Sequence, residues 1–348
     1  MSAAVDSDFL LASRGVQRTL DAFVVGACFD RASKHAAFAL GDGSVHLVPL
    51  AERESWQRIE AHNGSVMALA PDCISESFIT GGDDGFFRRL GVEGSLQTLA
   101  EYPGKWVEHV ASFRGEKAKG YIACAVGRDV HLFNADGQLL KSLSHPSTVS
   151  DLVFDARGKR IAAAHYNGAS LWFVAAKTDS PRLLEWKGSH IRIAVSPDGD
   201  SVVTAMQENA LHGWRLSDGQ HMRMSGYPKK TQSLAFTRNG KWLATSGADA
   251  IVLWPFFGGG PMGKRPLELA GGDGIVCTMV AAHPQHDVVA AGFADGLVVA
   301  AEISSYRILP VAAPGRGPIS ALSWSENGAN LAFGTESGFA AVVDFSKR

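Results

Sequence analysis

Residues 154–172 read FDARGKRIAAAHYNGASLW, and residues 236–254 read FTRNGKWLATSGADAIVLW. Both open on an aromatic, pass a polar turn closed by glycine, and run into a strand of small residues. Both then turn again and end in Leu-Trp. The same frame recurs with anchors at Phe29, Pro71, Phe113, Phe154, Val195, Phe236, Ala282 and Trp324, at intervals of 42, 42, 41, 41, 41, 46 and 42 residues. Fourteen residues after each anchor stands a turn position: Gly43, Gly85, Gly127, Gly168, Asn209, Ala250, Gly296 and Gly338. A period of this length, held eight times, restricts the chain to folds that copy one supersecondary unit and pack each copy on its neighbours.

The fourth unit shows what is copied. Residues 148–154 alternate and end apolar, 160–164 are small, and 170–174 and 182–186 complete a set of four short strands separated by turns at Asp155-Ala156-Arg157-Gly158 and Tyr166-Asn167-Gly168. Four antiparallel strands in about 42 residues are the pattern of a propeller blade. The 38 glycines in 348 residues exceed the usual ~7% and supply the turns. No amphipathic helix of ordinary length appears, which excludes a two-domain α/β arrangement.

These units resemble WD40 repeats. Ser196-Pro197-Asp198-Gly199 matches that family's first turn, Thr80-Gly81-Gly82-Asp83-Asp84-Gly85 its second turn, and Thr245-Ser246-Gly247-Ala248-Asp249 with Val252-Leu253-Trp254 its second and third strands. Ala61-His62 before Val66 stands nearest to the family's Gly-His start. The resemblance covers roughly residues 15–345. It departs from the family in having no Trp-Asp dipeptide, and the Trp position is kept only at Trp172, Trp214 and Trp254. The family's His–Ser–Asp–Trp hydrogen-bond network is therefore complete in few blades or none, and packing must carry the rigidity.

Eight anchors predict an all-β fold: a single WD40-like propeller of eight four-stranded blades spanning 15–348, preceded by a flexible N-terminus at 1–14. The last unit supplies strands at 330–334 and 339–345 but no outermost strand. Residues 15–20 are expected to fill that place and lock the ring, because an open apolar edge invites aggregation.

Net charge is −2 at pH 7 with a pI near 6.6, so no strong field is available for a polyanion and no nucleic acid is expected. Cys28, Cys73, Cys124 and Cys277 lie far apart, with no Cys-x-x-Cys pair, and read as reduced thiols. The N-terminal stretch MSAAVDSDFLLASRGVQRTL lacks the basic-then-apolar order of a signal peptide, and no apolar run reaches membrane length. A cytoplasmic protein, monomeric by itself, is expected.

Few motifs carry chemistry. Gly258-Gly259-Gly260-Pro261-Met262-Gly263-Lys264 fits the glycine spacing of a P-loop, but Arg265-Pro266 follows where Ser or Thr and a helix are needed. His283-Pro284-Gln285-His286 offers two imidazoles without a third ligand nearby and reads as a solvated turn. His46, His131 and His212 fall one per unit, on strand faces. There is no Gly-x-Ser-x-Gly elbow. Eight-bladed quinone-dependent dehydrogenases have turns similar to 133–138 and 216–220, but their following Trp is missing here.

No catalytic residue, cofactor or metal is therefore assigned. The expected function is a non-enzymatic scaffold or adaptor that takes a protein or peptide partner on its face loops. The alternative is a small-molecule enzyme with a site at the central channel, quinone-dependent dehydrogenase-like or hydrolase-like. Convergent titratable groups in the channel would favour the enzyme, and a small, aliphatic lining the scaffold. In a WD40-like blade the loop entering strand one and the second turn share a face. That upper face should carry His62, Asp83, Trp106, Arg128, His145, Tyr166, His190, Lys229, Lys230 and Arg316, with Trp106 as anchor and the lysines as charged rim. The four-residue excess of the sixth interval falls in the bend 255–265 on the opposite face, where Phe256, Phe257 and Met262 form a candidate second docking loop.

Overall fold

Runs of small and β-branched residues between two glycine-bearing turns fold into short antiparallel strands. In the computed structural model, which describes residues 9–115 and 120–346, the first unit forms Val24–Phe29, His35–Leu40, Ser44–Pro49 and Gln57–Glu60, each hydrogen-bonded to the next. Burial follows position. Nearly all of His35–Leu40 and Ser44–Pro49 is buried between neighbouring units, whereas Gln57–Glu60 is mostly exposed. The first strands ring a central channel, and the whole is a single all-β propeller.

The repeat frame reappears in the backbone. Seven of the eight turn positions have positive φ, from 53° at Asn209 to 142° at Gly168. At Gly338 a Cβ would stand 2.4 Å from the Leu20 carbonyl oxygen, so only glycine fits. The exception is Ala250: in the sixth unit the left-handed residue is Gly247, at φ 99°.

The expectation of eight separate four-stranded blades needs correction. Hydrogen bonds organise the described residues into seven sheets, six of four strands and one of six. The six-stranded sheet runs Val149–Phe154, Arg160–Phe173, Arg182–Val195, Ser201–Met206, Ala210–Arg215 and His221–Ser225. It absorbs the fourth and fifth units because almost no loop separates them. Only Lys187 and Gly188 lie between Trp186 and Ser189, so Ser189 pairs with Tyr166 while Glu185 pairs with Gly168, and the two units share one sheet across a register shift at that point. The turn expected at Tyr166-Asn167-Gly168 is present within Arg160–Phe173: the chain doubles back there with positive φ at Asn167 and Gly168, bringing Val174 N–H to Lys159 O at 3.0 Å and His165 Nε2 to Ser170 Oγ at 2.8 Å. That sheet still contributes two first strands to the channel, through Asp151 and Arg192. One apolar cluster packs between each pair of neighbouring units, including Ala164, Leu171, Ile193 and Trp214 between the fourth and fifth.

The chain ends meet in the last sheet. Gly15–Thr19 pairs antiparallel with Phe339–Asp344, Gly15 opposite Val343 and Thr19 opposite Phe339. Part of the segment expected to be a flexible tail is ordered: Leu10–Arg14 forms a helical turn whose Leu11 is buried against Val311, Val343 and their neighbours. An apolar Phe-Leu-Leu run gains more from that groove than from water. Residues 1–8 lie outside the described residues.

Hydroxyls fasten adjacent first strands around the channel. Ser320 Oγ donates to the Val24 carbonyl at 2.7 Å across the junction between last and first units, Thr278 Oγ1 donates to Ile319 O at 2.6 Å, and Ser233 Oγ donates to Val280 O at 3.0 Å. Six first strands share a register shift near their start, at Gly26, Ala68, Asp151, Arg192, Met279 and Ala321. Such bulges re-aim side chains, here at the axis.

Candidate functional site: the upper face and channel mouth

The loops that enter each first strand are held by the second turns: Ala61 N–H donates to Gly43 O at 3.1 Å, Tyr102 N–H to Gly85 O at 2.9 Å, and Lys229 N–H to Gly247 O at 3.1 Å. These loops and turns therefore form one face. The histidines on it turn inward. His62 is buried, with Nδ1 2.8 Å from Asp84 Oδ1 and Nε2 2.9 Å from Thr80 Oγ1. His190 is buried, with Nδ1 2.6 Å from Thr204 Oγ1 and Nε2 2.9 Å from Trp186 O. His145 Nε2 accepts the Trp172 indole N–H at 3.0 Å while Nδ1 faces the Arg128 carbonyl at 3.2 Å. That pattern needs a neutral ring, and burial pushes its pKa down to about 4. In the sixth unit Tyr227 takes the same place, accepting from Trp254 Nε1 at 2.6 Å. These rings brace loops and offer little surface to a partner. Asp83, half-buried, accepts the Ser65 N–H at 2.9 Å and serves the same end.

Other predicted residues are exposed. Trp106 is 57% exposed and lines a groove of about 490 Å3 with Lys105, Glu108, Arg128 and Asp129. Lys229 and Lys230 stand exposed at the mouth of the channel, whose volume is about 930 Å3. Glu108 lines both spaces and so stands between groove and channel. Tyr166 is 56% exposed but lines neither. Arg316 is half-buried, its Nη1 donating to Ala313 O at 2.9 Å and its guanidinium 5.1 Å from the Phe339 ring centre.

The channel is two-sided. One arc carries Glu108, His109, Asp151, Arg192 and Gln232, and the facing arc Val25, Met67, Leu69, Met279 and Ile319. Asp151 Oδ2 accepts the Ile193 N–H at 2.9 Å, and Arg192 Nε donates to Gln232 O at 3.0 Å. Burial lowers the His109 pKa, with Asp151 opposing that shift and Arg192 adding to it. Burial raises Glu108. Among the described residues the Glu108 and His109 side chains make no hydrogen bond, and no group of three or more His, Cys, Asp or Glu residues is placed to hold a metal. Sequence reasoning passed over these residues, although Asp151 and Arg192 each lie three positions before their anchor and His109 four. A register shift marks the strand starts at Asp151 and Arg192, whereas His109 pairs with Ala125 on a strand without one.

On the opposite face, Phe256 is half-buried edge-on to Phe236 at 4.9 Å. Phe257 remains 45% exposed, its ring 5.2 Å from Trp242, and Met262 is 46% exposed. Lys264 Nζ donates to the carbonyls of Phe257 and Gly258, so the glycine run holds its own lysine and forms no phosphate cradle. His283, read as part of a solvated turn, is buried: its Nδ1 accepts the Gln285 and His286 N–H groups at 3.0 and 3.1 Å. It caps the first turn as Ser325 does in the next unit. His46 and His212 are buried on third strands, and His131 stacks on Tyr102 at 4.6 Å.

Fold and site define the class, an all-β propeller with a loop-built face around an open channel mouth. No protein-family model matches the chain. It is 23% identical over 313 residues to autophagy-related protein 16 of Arabidopsis thaliana, covering 86% of this chain and 59% of that protein. It is 23% identical over 338 residues to telomerase protein component 1 of Mus musculus, covering 90% of this chain and 12% of that one. The chain thus spans less than two thirds of either relative. Among solved structures it resembles the crystal structure of the computationally designed Ika8 protein, with a TM-score of 0.74 and 16% identity over 94% of this chain and 98% of that one. That likeness is one of fold. No helix among the described residues is long and apolar enough to cross a membrane.

Proposed function

We propose that this chain is a non-enzymatic protein-interaction module that takes a protein or peptide partner on its upper face. The observation that carries the reading is Trp106: a large aromatic, more than half exposed, in a groove that shares Glu108 with the channel. Exposing an indole to water costs free energy that a partner recovers, and Trp and Arg are among the residue types enriched at interface hot spots. Arg128 shares the groove, and Lys229, Lys230 and Tyr166 extend the surface. Glu108 and Asp129 place negative charge among the cations, which fits a folded partner or peptide better than a polyanion. Phe257 and Met262 form a secondary docking loop on the opposite face.

The same reading treats the molecule as a degenerate WD40-like propeller whose strand Gly15–Thr19 closes the ring, working as a monomer in the cytoplasm. Four buried, unpaired cysteines support a reducing compartment. Affinity capture from native lysate with wild type, Trp106→Ala/Arg128→Glu and Phe257→Ala/Met262→Ala tests it. The upper-face variant should lose the wild-type partners and the lower-face variant keep most of them. A folded upper-face variant that retains every partner overturns the assignment.

A further inference from the structure

Between the seventh and eighth units the lower face holds a second cavity, of about 470 Å3. Val288, Ala300 and Leu309 wall it from one side and Trp324 and Phe345 from the other. Trp324 is fixed: its Nε1 donates to Ala281 O at 3.1 Å, and its ring meets Phe345 and His283 at steep angles with centroids 4.7 Å away in each case. His283 spends both nitrogens on backbone, Nδ1 accepting two N–H groups and Nε2 facing the Gly328 carbonyl at 3.1 Å, so it serves this cavity as a neutral aromatic wall. The rim is polar, with His286, Glu302, Arg307 and Asn327. Among the described residues the Arg307 guanidinium has no hydrogen bond or ion pair, whereas the Glu302 carboxylate is engaged by the Ser305 hydroxyl at 2.6 Å.

We propose that this cavity binds a free small aromatic carboxylate, its ring against Trp324 and Phe345 and its carboxylate on Arg307. The volume suits one ring system with a short acid, and an apolar floor with a few polar rim groups is the usual make-up of a small-molecule site. Ring packing at 4.5–7 Å continues the cluster already present. Arginine's planar fork pairs with a carboxylate through two parallel hydrogen bonds, and Arg307 is the cation here with no anion of its own. Glu302 beside it repels the same anion and sets the sign of a second test.

Calorimetric titration of the full chain with 2-naphthoate, and with 2-naphthylmethylammonium as the matched cation, decides the matter. Saturable one-to-one binding of the acid is expected, with the cation at least about tenfold weaker. Arg307→Gln, at an exposed position that should leave the melting temperature unchanged, should weaken binding about tenfold, and Glu302→Gln should tighten it a few-fold. Val288→Trp should fill the cavity and abolish binding. Absence of saturable binding overturns the proposal, as does equal affinity for the cation or an Arg307→Gln variant that binds like wild type.

Discussion

Replacing Tyr227 with phenylalanine removes one oxygen from a buried relay and leaves the ring in place. The relay runs from the Trp254 indole N–H to Tyr227 Oη at 2.6 Å, from that hydroxyl to Thr245 Oγ1 at 2.6 Å, and from the threonine to the Val252 carbonyl at 3.1 Å. All three side chains are buried. Without the phenol oxygen the Trp254 N–H has no acceptor and cannot reach water, while the packing volume hardly changes. An orphaned buried donor costs about 1–3 kcal/mol. Urea unfolding followed by tryptophan fluorescence and by circular dichroism should show a lower midpoint with unchanged slope, equivalent to about 2 kcal/mol. Tyr227→His restores an acceptor of the kind present at His145 and should recover part of the loss. If Tyr227→Phe unfolds within about 0.5 kcal/mol of wild type, the inward-turned rings are not braces.

Other outcomes follow from burial. His145 is held neutral, burial lowering its pKa to about 4 from the ordinary histidine value of about 6.5. The unfolded chain therefore takes up that proton first, and the associated stability, present above pH 6.5, drains away as pH falls toward 4. The loss at this one site is about 3 kcal/mol, and a urea midpoint that stays flat from pH 7 to pH 5 would contradict it. Burial pushes the thiols of Cys73, Cys124 and Cys277 up to about 12 and that of Cys28 higher still. A disulfide reagent such as DTNB should titrate none of the four within minutes in the native protein and all four in denaturant. Deleting residues 1–20 strips Gly15–Thr19 from its partner strand together with the buried Leu11 and Leu20, about 5 kcal/mol of apolar burial. The truncated chain should melt lower and form oligomers, and an unchanged melting temperature would refute the role given to that strand.

The repeat was legible because its turns demand particular residues. A glycine or asparagine fourteen residues after the anchor marks a left-handed backbone, and seven of eight positions obey. The union of the fourth and fifth units was not, because it depends on a connection so short that Ser189 pairs with Tyr166, and loop length is read poorly where Lys187-Gly188 looks like any other turn. The site divided along similar lines. Trp106 and Arg128 were placed on an exposed face from the frame alone. The histidines were assigned to the same face by position, but a ring at that position can fold back to a hydroxyl on the second strand. The signal existed: Thr80, Thr204 and Thr245 each stand nine residues after their anchor, opposite His62, His190 and Tyr227. Asp151 and Arg192 were hidden because a bulge in an inner strand changes which side chain meets the axis, and no residue type announces such a bulge.

Trp106 and Arg128 together form the proposed anchor for a partner on the upper face. Its most direct measurement is the binding kinetics of a captured partner against purified wild type, Trp106→Ala and Arg128→Glu at two salt concentrations. Trp106→Ala should raise Kd about 30-fold, mainly through faster dissociation. Arg128→Glu should act mainly on association, with an effect that shrinks as salt rises. Wild-type affinity and rates for both variants, with the fold intact, would contradict it.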